Sequence, residues 1–452
     1  MGCGVALSEI LFRRSEPVIQ RRGVHFDLKG FPPSFSRLLE WVKLAAQLRF
    51  NVILVEWEDM FPWQFDPRLR SESCYTEAEV REFAEVCRQH GIEIVPLVQS
   101  LGHAENVLSK SGYEDLREVG HRSDVFHPLH PESPKVIQKM VAEVLELLPE
   151  TRWFHLGGDE AYTLGKHPAS QTFIQEHGMA QLYMRQLRPV LQDLKERGIR
   201  PVLWHDEVVR WSREDLRVLA PDMDLMVWGY SGDPRDAETY HHRLPHAERL
   251  QDAGFPLWAA TAFKGASGAN SYYPKTEVLQ KATCGWVALD ETFSWEGVVA
   301  TGWSRYASGR IQTEPFDVAL DALINTAVIL HEGDAVADKA QRKQWMEQQG
   351  LKEHFQVCFK IAEELTVRME KVWTFIRHSE EQLANLLVEP ARAGSGIEEI
   401  LLEVLTSEMV EIEKLFQQWG KLLEGRIAPP WFARYHQTHV LPVYAAIERL
   451  KK

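Results

Sequence analysis

The chain has 452 residues, 44% of them hydrophobic, enough to bury a large core and to form more than one domain. It carries 51 Lys+Arg against 65 Asp+Glu, and the net charge of −14 argues against non-specific nucleic-acid binding. Five scattered cysteines (Cys3, Cys74, Cys87, Cys284, Cys358) form no CxxC and no zinc spacing, which suits a reduced, cytoplasmic setting.

The first segment, 1–20, opens "MGCGVALSEILFRRSE". Its apolar patch is too short and too soon charged for a signal peptide, and Ala6 breaks the myristoylation pattern. No run of about 18 apolar residues predicts a membrane span.

Short apolar runs then alternate with longer amphipathic segments. The runs are "GVHFDL" (23–28), "NVILVEW" (51–57), "IEIVPLV" (92–98), "RWFHLG" (152–157), "RPVLWH" (200–205), "DLMVWG" (224–229), "FPLWAATA" (255–262) and "GVVATGW" (297–303). Helical patterns separate several of them, among them "TEAEVREFAEVCRQHG", with a capping box at Thr76 and Glu79 and a stop at Gly91. Continuous apolar strands joined by helices mean buried parallel β-structure. Eight such units over 21–335 predict a (β/α)8 TIM barrel. An open doubly wound sheet is the alternative, but no GxGxxG follows the first run.

Polar residues cluster at or just past the C-terminal ends of the runs, the active-site face of such a barrel. They are Asp27 and Lys29, Glu56 and Glu58, His103, Asp159 and Glu160, His205 and Asp206, Trp228 and Tyr230, and Trp303 and Arg305. From 336 to 452 helical spacing dominates. Val357, Ile361, Leu365, Met369, Val372 and Ile376 share one face; after the breaker "PARAGSG" (390–396), Leu401, Leu405, Met409, Ile412 and Phe416 share another. These stripes predict a C-terminal α-helical domain with its own core and no chemistry. The aromatic stretch "APPWFARYH" (428–436) reads as buried packing.

The stretch "RWFHLGGDEAY" (152–162) ends a strand on two glycines and then presents adjacent carboxylates, Asp159 and Glu160. Glycosidic cleavage needs an acid for the leaving oxygen and something to stabilise charge at the anomeric carbon. Two acids leaving one point of backbone do not easily flank a bond as acid and direct nucleophile. They do suit a sugar whose own 2-acetamido oxygen attacks. Gly157 and Gly158 allow the tight turn that would aim both inward. The 15 tryptophans suit sugar platforms, and Trp204, Trp228, Trp258 and Trp303 stand near strand ends.

"HLGGDE" resembles the hallmark His-x-Gly-Gly-Asp-Glu motif of glycoside hydrolase family 20, the β-N-acetylhexosaminidases. "RGVHFDLKG", "VEWEDMFPW", the block "YTEAEVREFAEVCRQHGIEIVPLVQSLGHAENV", "VLWHDE" and "ATGWSRY" follow the family's order across about residues 20–310. The resemblance implies a (β/α)8 catalytic domain, retention of configuration, and substrate-assisted catalysis with neither metal nor cofactor. By motif position Glu160 is the general acid and later base, and Asp159 orients the acetamide. Burial and the Asp159 charge are expected to raise the Glu160 pKa. The implied substrate-binding set is Asp27, Lys29, Glu58, Asp59, His103, Trp204, Asp206, Trp228, Tyr230, Trp258, Trp303 and Arg305.

Several positions depart from the family pattern. Lys29 stands where typical members have an Arg that grips sugar hydroxyls, and it lacks the bidentate fork. Glu58–Asp59 replaces two Asp. The usual non-catalytic N-terminal domain is missing, and the tyrosine that bonds the acetamide is either Tyr230 or Tyr272. Likeness to one branch of the family implies tolerance of, or preference for, N-acetylgalactosaminides over N-acetylglucosaminides. The expected partner is a glycan ending in a β-linked N-acetylhexosamine, with a homodimer allowed for. Two rival readings stand beside this one. The first is a metal-dependent hydrolase using His25, Asp27, His103, His155 and His205, although "VHFDL" lacks a His-x-His. The second is a non-catalytic glycan-binding protein. "HHRLPH" (241–246) reads as a solvated loop and "AFKGASG" (262–268) as a loop over the site, not a P-loop.

Overall fold

A computed structural model describes residues 10–239, 242–267, 271–305, 312–333, 338–388 and 397–450; for 382–388 and 397–401 it describes the backbone alone. The segment 1–9 with Cys3, His241, Gly268, Tyr306 and the breaker at 390–396 lie outside these residues.

All eight apolar runs form strands: β1 (Arg22–Asp27), β2 (Val52–Glu56), β3 (Glu93–Leu97), β4 (Trp153–His155), β5 (Arg200–Trp204), β6 (Asp224–Trp228), β7 (Leu257–Lys264) and β8 (Val298–Gly302). They pair in parallel in chain order, and β8 returns to β1 through Arg22↔Val298 to Val24↔Ala300, closing the barrel. The runs are apolar throughout because both faces are covered. On β2, Val52 and Leu54 point into the barrel while Ile53 and Val55 meet the helices outside. The interior is filled rather than hollow, by Val95, Leu97, Val202, Trp204, Met226, Trp258, Ala260, Val299 and Trp303 among others.

Helix starts follow local chemistry. Thr76 caps Glu77–Gln89 by accepting from the Glu79 N–H, and the Thr76 N–H donates to Glu79 Oε2 at 2.7 Å. The C-terminal region packs the helices Lys352–Val388, Ile397–Leu423 and Trp431–Leu450 around a second core that holds Leu365, Met369, Val372, Leu405, Ile412, Phe416 and Tyr435. Val357 corrects the expected stripe. It is 42% exposed, and Cys358 takes the buried place beside it. Trp345, Met346 and Phe355 still pack into the barrel's core.

The second core is not separate from the barrel. Phe31, Tyr272 and Val318, from barrel loops, belong to it. Asp317 ties the parts together. Its carboxylate receives His354 Nε2 at 2.8 Å and Arg37 Nη2 at 3.3 Å, with Arg426 Nη1 at 3.6 Å. Burial opposes its ionised form, but the His354 hydrogen bond and the Arg37 charge hold its pKa below the usual carboxylate range. A depressed folded pKa gives stability that is full above the unfolded value of about 3.9 and lost as pH falls through the folded one. Asp317→Asn should therefore destabilise the chain by about 3 kcal/mol at neutral pH. Denaturant melts should show the gap to wild type closing below about pH 4.

Candidate functional site

The site is built at the end of β4. After His155 the backbone keeps two ladder bonds, Leu156 N to Val202 O at 2.8 Å and Trp204 N to Gly157 O at 3.0 Å, while it twists out of strand geometry. Gly157 and Gly158 take φ values of +60° and +84°, a region that disfavours side chains. Space forbids them as well. A Cβ on Gly157 would overlap the Gln99 amide, and one on Gly158 would overlap the Tyr183 hydroxyl. That hydroxyl donates to Gly158 O at 2.9 Å, and His155 Nδ1 accepts the Gly157 N–H at 3.0 Å. His155 thus supports the turn. Burial pushes its pKa down to about 3, so it acts as a neutral ring.

The turn brings both acids to one imidazole. His103 Nε2 lies 3.4 Å from Asp159 Oδ2 and 3.3 Å from Glu160 Oε2. His103 and Glu160 themselves sit at positive φ, +53° and +46°. Asp206, from the end of β5, accepts from the Glu160 N–H at 3.0 Å and from Trp228 Nε1 at 3.1 Å. The Tyr162 hydroxyl donates to Glu160 Oε1 at 2.6 Å.

The charge balance corrects one expectation. The hydrogen bond from His103 outweighs burial, and with Tyr162 it holds Glu160 below the usual carboxylate range, not above it. Burial works against charge on His103, yet Asp159 and Glu160 lift its pKa well above the ordinary histidine value. The raised carboxyl is Asp206, pushed up to about 7 by burial and by the Asp159 charge. Both directions favour an ionised Glu160 beside a protonated His103.

A second buried cluster closes the floor beside it. Lys29 Nζ lies 2.6 Å from Glu56 Oε2 and 3.1 Å from Asp27 Oδ2. Asp27 also accepts from Ser304 N at 2.7 Å, and Glu56 from Gln99 Nε2 at 3.0 Å. Burial disfavours the ammonium, but Asp27 and Glu56 keep it firmly protonated. Glu58, strained at φ +48°, is pushed up to about 8 by burial, against the pull of Lys29. Burial also raises Asp59, although Arg305 Nη2 stands 3.9 Å from its carboxylate.

Aromatic rings form the wall. Trp228 stacks on Tyr230 at 5.3 Å, Tyr230 meets Trp303 edge-on at 6.4 Å, and Trp303 meets Trp204 at 5.9 Å. Of the two candidate tyrosines, half-buried Tyr230 lies in this wall, and burial with the Asp159 charge holds its pKa well above the usual tyrosine value. Tyr272 packs instead on Phe416, Tyr435 and His439 in the helical core. Trp258 is likewise misplaced by the sequence reading. It is the second residue of β7, at the opposite end of the barrel, where Nε1 donates to Asp224 Oδ2 at 3.1 Å and the ring meets Trp153. The run's true C-terminal end is Lys264.

Among the described residues, the histidines of the metal-dependent reading do not converge on one point. His205 turns away to His246, 3.0 Å distant, and His25 faces Glu56 at 3.5 Å. Among the described residues, the one group close enough to seat a cation is His103, Asp159 and Glu160 themselves, with ligand atoms within 4.8 Å. Sequence reasoning gave no site role to Gln99, Tyr162, Tyr183 or Trp431. The helical region's Trp431 is buried, receives the Arg305 guanidinium over its ring at 5.3 Å and donates to Ser73 Oγ at 3.2 Å. Tyr162, two places after Glu160, carried a local signal, and Trp431 lay in the aromatic stretch at 428–436 that reads as buried packing.

Gly158→Ala should cost about 1–3 kcal/mol through φ and overlap. Adding Tyr183→Phe, which empties the overlapping atom's place, should make the double variant milder than the sum of the singles in urea melts.

The family model described as glycosyl hydrolase family 20, catalytic domain, matches residues 38–243, a span that contains His103, Asp159, Glu160, Asp206 and Tyr230. Hexosaminidase D of Bos taurus is 33% identical over 327 residues, 69% of this chain and 92% of its own length. Hexosaminidase D of Homo sapiens is 33% identical over 326 residues, and the match spans 70% of this chain but 66% of that one. Among solved structures, the exo β-N-acetylglucosaminidase of Vibrio harveyi superposes with a TM-score of 0.55 at 18% identity, covering 74% of this chain and 59% of the other. The β-N-acetylhexosaminidase of Bacteroides fragilis gives 0.54 at 17%, covering 74% and 72%. At such identities these two establish the shared barrel fold. The family model, the ordered motifs and the near-complete match to the bovine relative together place the chain in glycosyl hydrolase family 20, the β-N-acetylhexosaminidases.

Proposed function

We propose that the chain is a retaining exo-β-N-acetylhexosaminidase that works by substrate assistance, with N-acetylgalactosaminides preferred. One observation carries the reading: Asp159 and Glu160 leave adjacent backbone positions and face a single imidazole nitrogen at 3.4 and 3.3 Å. A protein nucleophile and an acid must stand on opposite sides of the scissile bond, about 5–5.5 Å apart, in an ordinary retaining enzyme. Neighbouring acids fit a sugar that brings its own nucleophile.

In this mechanism the acetamide oxygen attacks the anomeric carbon as the glycosidic bond breaks. Glu160 gives its proton to the leaving oxygen, and Asp159 accepts the acetamide N–H and stabilises the oxazolinium. Tyr230, beside Asp159 and under Trp303, is the group for the acetamide oxygen. Glu160 then takes a proton from water, which opens the ring with net retention. The proton that Glu160 needs is stored on His103, 3.3 Å away. An entering glycan covers the half-buried Glu160 and favours its neutral form. Lys29 is committed to Asp27 and Glu56, so it shapes the floor more than it grips hydroxyls. Arg305 and Asp59 are placed for that grip. Preference for N-acetylgalactosaminides rests on likeness to the hexosaminidase D branch.

The partner is a glycan or glycoconjugate with a terminal β-linked N-acetylhexosamine. Among the described residues no helix is long and apolar enough to cross a membrane. A cytoplasmic location is proposed from cysteine usage, and a homodimer is open to sedimentation analysis.

Paired aryl β-GalNAc and β-GlcNAc substrates, with EDTA controls, test the assignment and its metal-dependent rival together. Glu160→Gln should cut kcat by about 10³-fold, within the span typical of general acids, and Asp159→Asn should do nearly as much while weakening a thiazoline inhibitor. Wild-type rates in either variant would remove the proposal. The active form holds one proton on the His103–Asp159–Glu160 set, so activity falls as pH rises through the set's shared titration. In His103→Asn that proton has no imidazole to rest on. The alkaline limb of kcat/KM should drop toward the carboxylate range, and a limb that stays in place would refute the proton store.

A further inference from the structure

We propose that Tyr162 is a platform for the aglycone, the sugar or aryl ring on the leaving side of the scissile bond. The inference rests on the reading of Glu160 as the acid and assigns a second subsite to it. Tyr162 is 63% exposed, while eight Trp and three Tyr rings among the described residues are almost wholly buried. Its position is nevertheless defined. The hydroxyl donates to Glu160 Oε1 at 2.6 Å, the Tyr162 N–H bonds Glu160 O at 2.8 Å, and His103 occupies the other carboxylate oxygen.

Depth orders the three residues. Asp159 is buried, Glu160 is half-buried and Tyr162 is the outermost. A terminal sugar held by Asp159 places its glycosidic oxygen at Glu160. The exposed Tyr162 ring, bonded to Glu160, is then within reach of whatever is attached beyond that oxygen. A ring face of this kind matches the C–H face of a pyranose or an aryl group, and it offers no charge that would select a particular anion. Because the hydroxyl is already engaged, the ring loses little freedom when an aglycone settles on it. The ligand class is therefore a neutral ring in β-linkage to the N-acetylhexosamine.

The test compares wild type, Tyr162→Ala and Tyr162→Phe on a β-linked disaccharide and on the matching β-glycosyl fluoride, whose leaving group is too small to reach a platform. A thiazoline inhibitor, which fills the inner subsite alone, supplies a binding control. Tyr162→Ala should raise KM for the disaccharide about three- to tenfold, the range expected for a lost ring contact, with KM for the fluoride and inhibitor Kd within about twofold. Tyr162→Phe keeps the ring and should restore the disaccharide KM, so that any remaining effect falls on kcat through the lost hydroxyl. An equal KM rise for disaccharide and fluoride, or none for either, would overturn the platform. If wild type cleaves neither substrate, the functional reading fails first and the platform with it.

Discussion

Two carboxylates at consecutive positions can share a pocket only if the backbone carrying them abandons strand geometry. Consecutive strand residues point to opposite faces. Here Gly157 and Gly158 make that departure, and the surrounding atoms leave no room for any other residue. The Gln99 amide seals one glycine, and the Tyr183 hydroxyl seals the other and hydrogen-bonds its carbonyl. Asp159 and Glu160 take their positions from this turn, and His103 and Asp206 meet them from the ends of β3 and β5. Gly102 joins the same packing, because a side chain there would overlap the Asp159 carbonyl.

Charge is handled differently in the two halves of the site. Around Lys29 every partner is buried and the ammonium is matched by Asp27 and Glu56. Both carboxylates hold the Lys29 proton in place against burial, which suits a floor. Around His103 the Glu160 carboxylate is only half-buried, and both acids lie within 3.4 Å of one imidazole nitrogen, so the set can share a proton. The contrast separates the group that shapes the pocket from the group suited to chemistry.

The helical region contributes more than mass. Trp431 sits under Arg305, its carbonyl accepts from Gln312 Nε2 at 3.3 Å, and its indole N–H reaches Ser73. Loops after β2 and β8 are thereby held against one buried ring. A barrel whose functional loops rest on a second core gains a fixed rim, which short loops alone do not provide.

The sequence by itself determined the barrel, because strands covered on both faces must be apolar throughout and the helices between them must be amphipathic. All eight runs, the capping box at Thr76 and the acids at Asp159 and Glu160 were legible for that reason. The family motif added roles to those acids. It did not reveal which strand end a residue occupies when the run's limits are ambiguous, and Trp258 fell to the wrong end by that route. Only the tertiary structure decided which neighbours each ionisable group meets. His103 holds Glu160 low where burial alone would have raised it, and Tyr272 and Tyr230, alike in sequence, lie in different cores. Protonation and loop contact depend on groups brought together across the barrel, and no local pattern in the chain encodes those distances.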